Sequence, residues 1–139
     1  MKRFAQTLLI AGALLAAQAA LARGLVPVVE RPSEPIVTGS GKTVNGEAFK
    51  NAVMNGGAAM KWEVVPAADG KSLRATYRVQ NKHVVMVDIV PGPESFAVKY
   101  ADSVNMHYTV QNGAPVIHPS YNKWVGQLVD SIRVELKKF

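Results

Sequence analysis

Between Tyr100 and Trp124 the chain gathers the side chains best suited to chemistry. Asp102, Ser103 and His118 are the three types of a nucleophilic triad, in which a carboxylate orients an imidazole that takes the proton of an attacking hydroxyl. A hydrolase would use them in those roles. The same residues also have a plainer reading. Adjacent Asp and Ser at a strand end cap turns, the carboxylate accepting backbone N–H bonds and Asn105 closing the loop. No Gly-x-Ser-x-Gly elbow surrounds Ser103. The balance favours the turn, and the expectation is a chain with no catalytic residue.

Tyr100, Tyr108, His118 and Asn122 form a second constellation. Apolar walls with a few convergent polar groups suit a small-molecule or glycan cleft, so these four are the candidate binding residues. His118 precedes Pro119 and a helix, where it could instead bond loop backbone and fix the helix entry. Asn122 lies off the apolar stripe of that helix and is expected to bond the loop from Asp102 to Tyr108. His83, His107 and His118 lack the close spacing of a helix-borne metal site, and no metal or cofactor is expected.

The signature of this region is Tyr100-x-Asp102-Ser103-x-Asn105-Met106-x-Tyr108, followed by Ile117-His118-x-x-Tyr121-Asn122-x-Trp124. It resembles a family of small exported proteobacterial proteins, many of them lipoprotein-like, with Met106 standing where the family usually has Leu. The resemblance runs over about residues 43 to 137. It implies a two-layer domain of two helices on an antiparallel sheet and carries no established activity. Other members often have a lipobox cysteine. This chain has no cysteine at all, so the anchor is not carried over.

Hydrophobic periodicity supplies the elements that must position these residues. Val44, Ala48, Phe49, Ala52 and Val53 recur at helical spacing, with Thr43 as the expected cap and Gly56-Gly57 as the expected stop. Lys61 to Val65, Ser72 to Gln80, His83 to Ile89 and the stretch through Phe96, Val98 and Tyr100 alternate as strands. A short strand is expected over Met106 to Val110. Tyr121, Trp124, Val125, Leu128, Ile132 and Leu136 then form one apolar stripe, with Ser120 as its expected cap. Two amphipathic helices and a sheet with one apolar face bury each other as two layers. The predicted fold is α+β, a two-layer sandwich of three to five antiparallel strands and two helices in the order α-β-β-β-β-α.

Upstream, residues 1–22 have the parts of a secretory signal peptide: Met1-Lys2-Arg3, an uncharged run from Leu8 to Ala17, and an Ala20-Leu21-Ala22 box. Cleavage after Ala22 would deliver the chain to the periplasm or outside the cell. Residues 23–42 carry Pro27, Pro32 and Pro35 and read as an extended lead-in, with Pro35 to Thr38 able to add an edge strand. Residues 43–139 form the expected single domain.

Composition limits the partners. The whole chain has a formal charge of +6; without Lys2 and Arg3, 14 cations face 10 acids and +4 remains. Those cations are spread out. Arg74, Arg78 and Lys82 nevertheless share a strand and its turn, and could form an anion-binding module for the cell envelope. Export and the lack of any nucleic-acid motif argue against nucleic acid, and no later run reaches the ~20 apolar residues of a membrane span. The reading is an exported binding or interaction module of the cell envelope, with an envelope component or protein as partner and no stable membrane anchor. The alternatives are the hydrolase and the anion-binding module.

Overall fold

The computed structural model describes residues 24–139, so the signal-peptide reading lies outside the described residues. The domain is α+β, as its periodicity predicts. Helix α1 (Gly46–Ala59) leads into strands β3 (Trp62–Pro66), β4 (Leu73–Val79), β5 (His83–Pro91) and β6 (Ser95–Val104). These four form an antiparallel meander. The chain closes with helix α2 (Ser120–Leu136). Among the described residues no helix is long and apolar enough to cross a membrane.

The two-residue side-chain period of the strands sets the layers. Leu73 and Ala75 on β4, Val85, Val87 and Ile89 on β5, and Phe96 and Val98 on β6 are buried on one sheet face. Against them pack Phe49, Ala52 and Val53 of α1 and Val125, Leu128, Val129, Ile132 and Leu136 of α2. Burying such side chains contributes roughly 1.5–3 kcal/mol each, in a chain that has no cysteine to form disulfides. Trp124 differs from its expected core position. It is only partly buried, with its ring set edgewise on Tyr77 (5.2 Å), and Tyr77 in turn stacks on the buried Trp62 (5.1 Å).

Glycine does different work in α1 than its sequence position suggests. Gly56 and Gly57 do not stop the helix; they lie inside it, which runs on to Ala59. A Cβ on Gly56 would come within 2.9 Å of the Ile132 backbone, and one on Gly57 within 2.6 Å of Val64 Cγ2. At this pair the second helix and strand β3 come close against α1. Ser131 Oγ fastens the crossing by donating to the Gly56 carbonyl at 2.8 Å. The cap also shifts: Asn45, not Thr43, accepts the Ala48 N–H at 2.8 Å, because Asn45 is the extended residue directly before the helix.

The lead-in adds strands. Short β1 (Val26–Pro27) and β2 (Arg31–Pro35) precede α1. β2 pairs with β6, giving a five-stranded sheet of order β2-β6-β5-β4-β3. This edge strand lies upstream of the expected Pro35 to Thr38. Pro32 and Pro35 lack an N–H to donate, and an edge position with an irregular register tolerates that.

β1 belongs to a second, three-stranded sheet with β7 (Thr109–Gln111) and β8 (Ala114–Ile117), in the order β1-β8-β7. Asn112 and Gly113 turn β7 into β8 with φ of 53° and 77°, the left-handed pair that a two-residue hairpin needs. The expected strand over Met106 to Val110 starts later, at Thr109. Positive φ at Asn105 and His107 bends the chain before then.

Candidate functional site

A bulge in β6 sets the geometry of the site. Tyr100 pairs with Val87 and Asp102 with Met86, so the strand carries one extra residue, Ala101, at that point. Tyr100 and Ser103 therefore face the same side, toward the helices, while Asp102 turns to the open face. The Tyr100 and Ser103 hydroxyls meet at 2.7 Å. Tyr108 stacks flat on Tyr100 (4.1 Å, 8°), and Tyr121 of α2 meets Tyr100 edge-on (5.8 Å, 61°). Burial raises the Tyr100 phenol above its ordinary range, with the Ser103 bond opposing and Asp102 and Tyr108 adding to the shift. Burial raises Tyr121 much further.

These tyrosines line a cleft of about 370 Å³. Its other walls come from Val28 to Pro32 of the lead-in, Val98 and Lys99 of β6, and Pro115 of β8. Tyr121 as a residue is only 2 % exposed; among the described residues its hydroxyl forms no hydrogen bond, but the fully enclosed side-chain polar atom left without a partner is Gln111 Oε1. Tyr121 lines the same cleft as Tyr100, Arg31 and Tyr108. A shallower hollow of about 480 Å³ lies beyond the Tyr100–Tyr108 pair, against Asp102, Ser103 and the residues from Asn105 to His107.

Tyr100 and Tyr108 thus line both concavities, whereas His118 and Asn122 line neither. The side-chain amide of Asn122 is committed to the lead-in: Oδ1 accepts the Val29 N–H and Nδ2 donates to the Pro27 carbonyl, each at 3.0 Å. It does not reach the Asp102 to Tyr108 loop. His118 Nδ1 accepts the Ser120 N–H at 3.1 Å, so the imidazole caps α2 in place of the expected Ser120 side chain. Its backbone N–H donates to Met106 O at 2.9 Å and ties the loop to the helix entry.

The triad residues are each engaged elsewhere. Asp102 Oδ1 accepts the Ser103 backbone N–H at 2.8 Å, Ser103 Oγ bonds Tyr100, and His118 Nδ1 bonds Ser120. Among the described residues no hydrogen bond joins the imidazole to the carboxylate or to the serine hydroxyl. Adjacent strand residues point to opposite faces, so Asp102 and Ser103 cannot both serve one imidazole. His83 Nδ1 bonds Asn105 O at 2.9 Å, its ring 6.5 Å from that of His118. Among the described residues no group of three metal-binding side chains forms.

The basic strand is also partly occupied. Arg74 holds Asp88 through two bonds, 2.8 and 3.1 Å, and the carboxylate beside it raises the guanidinium above its ordinary value. Arg78 and Lys82 remain exposed.

Reasoning from sequence missed the lead-in wall and the role of Tyr121. One signal was present: a tyrosine on a core stripe brings a hydroxyl that needs a partner, as phenylalanine would not. Comparison of the chain with family models, with curated proteins and with solved structures finds no match.

Proposed function

We propose that this chain is an exported, non-catalytic binding module of the cell envelope, released to the periplasm or the medium, and that the tyrosine-lined cleft is its ligand site. One observation carries the reading: Tyr100, Tyr108 and Tyr121 converge with the lead-in on one concavity of about 370 Å³, and among the described residues the Tyr121 hydroxyl beside it forms no hydrogen bond. A ligand that bonds that hydroxyl gains a hydrogen bond worth about 0.5–1.5 kcal/mol, and apolar walls with few polar groups suit such a site. Resemblance to small exported proteobacterial proteins supports the location, as does the signal-peptide pattern of residues 1–22.

The hydrolase alternative has less behind it, because Asp102, Ser103 and His118 spend their bonds on turn, tyrosine and helix cap. The anion-binding alternative loses Arg74 to Asp88 and keeps only Arg78 and Lys82.

The test is an NMR titration of the full chain with soluble envelope extract, following Val28 to Pro32, Tyr100 and Tyr121 while assaying the added material for breakdown. Shifts at the cleft without turnover are expected, and they should weaken in Tyr121→Phe at unchanged fold stability. Release of hydrolysis products, or a cleft that never responds, would overturn the reading.

A further inference from the structure

The outer edge of β6 is covered over only part of its length. β2 pairs with it between Ser95 and Val98, and from Arg31 the chain runs back toward β1 and the small sheet. Lys99 to Val104 continue as strand, bonded to β5 on one side. Among the described residues no strand lies on the other side. An unpaired edge presents backbone N–H and C=O groups to any extended chain that reaches it. At ~3.3 Å per residue, this stretch is roughly 20 Å long.

That edge coincides with the concavities. Lys99 and Tyr100 line the cleft where β2 departs, and Tyr100, Asp102 and Ser103 line the second hollow. Two hollows along one strand edge suit alternate side chains of an extended segment, which point the same way every second residue. A peptide also supplies a carbonyl to accept from the Tyr121 hydroxyl. We infer that the Lys99 to Val104 edge binds an extended polypeptide segment, which adds a strand to β6 and lodges an apolar side chain in the tyrosine-lined cleft. The inference rests on the binding-module reading and names its ligand class.

A single segment fits this edge better than a second copy of the sheet. The Ala101 bulge bends the strand, and the exposed Lys99 and Asp102 put charge on it; both features discourage pairing between whole sheets. Pro115 of β8 and Tyr108, just before β7, also wall the cleft and narrow the space beside the edge. A lone extended chain can follow a bend that a second sheet cannot.

The test uses the full chain with a panel of end-blocked hexapeptides that alternate Thr with Val, Leu, Phe or Tyr. Each peptide is compared with a twin N-methylated at alternate residues, and p-cresol and N-acetylglucosamine serve as non-peptide probes. Hydrogen exchange should slow at Lys99 to Val104, and signals of Tyr108 and Tyr121 should shift. Losing two or so backbone bonds should weaken the methylated twin about tenfold. Equal affinity of the twins, or a cleft that answers only to the non-peptide probes, overturns strand addition and leaves the binding module standing. Protection that grows with protein concentration alone assigns the edge to a second copy and also overturns it. A cleft silent to every probe removes both readings.

Discussion

The hydroxyls of Tyr100 and Ser103 lie 2.7 Å apart although the two residues are three positions apart in one strand. In a regular strand they would face opposite ways; the extra residue at Ala101 turns them to the same side. The bond fixes the ring on which Tyr108 and Tyr121 pack.

Ser103→Ala should therefore cost about 0.5–1.5 kcal/mol in urea unfolding, the net worth of one partly buried bond. It should also push the Tyr100 phenol still higher, because the Ser103 bond is the influence that holds it down. Ring-carbon NMR titration reads that shift directly. An unmoved Tyr100 titration would mean that the bond does not form in solution.

Gly56→Ala tests the helix crossing. Alanine is the better helix former by about 0.8–1.0 kcal/mol, so propensity alone predicts a gain. Its Cβ would meet the Ile132 backbone at 2.9 Å, and overpacking of that kind costs roughly 1–3 kcal/mol. Net destabilisation is the expected outcome by chemical denaturation, and a stabilised variant would contradict the close approach of the helices.

Asn122→Ala should loosen the lead-in without melting the core. Two exposed bonds to backbone are lost, worth about 1–2 kcal/mol together. Exchange at the Val29 amide should accelerate, while Leu128 and Ile132 keep their protection. Unaltered exchange at Val29 would show that the clamp is not what holds the segment.

Asp69 gives a pH signature. The Ser72 hydroxyl, then the Ser72 and Lys71 backbone amides, hold its carboxylate at about 2, below the reference of 3.8. The folded value is the lower one, so the turn's contribution to stability is complete above the unfolded value and disappears as pH falls through about 2. Side-chain NMR titration should find that low value, and Ser72→Ala should return it toward 3.8. A wild-type midpoint already near 3.8 would sink the assignment.

Much of the fold was legible because burial writes a period into the sequence. Leu73 and Ala75, and Val85, Val87 and Ile89, announce their strands and their inward face; the stripe from Tyr121 to Leu136 announces α2. Gly56-Gly57 was misread because a helix stop and a close approach ask for the same residue. The site was less legible for a different reason. Asn122 finds partners more than ninety residues upstream, and the bulge at Ala101 reverses the facing of every later residue in β6 without any compositional mark. Tyr100 and Tyr108 were identifiable as aromatic neighbours, but the wall opposite them belongs to a proline-rich stretch whose pairing no local pattern shows.

The ties between the lead-in and the last helix bear on when folding can finish. Glu34 bonds Arg133, Ser40 N–H donates to Phe139 O at 3.0 Å, and the two bonds to Asn122 bind the lead-in farther along. The lead-in is thus held by α2 and the residues after it, and Leu136, in the final turn of α2, is part of the core. Such distant contacts form late, since the intervening loop must close before they contribute. During synthesis the strands of the meander can pair early, but their apolar face has no complete cover until α2 emerges. The core is therefore complete only once α2 has docked against the sheet and the lead-in.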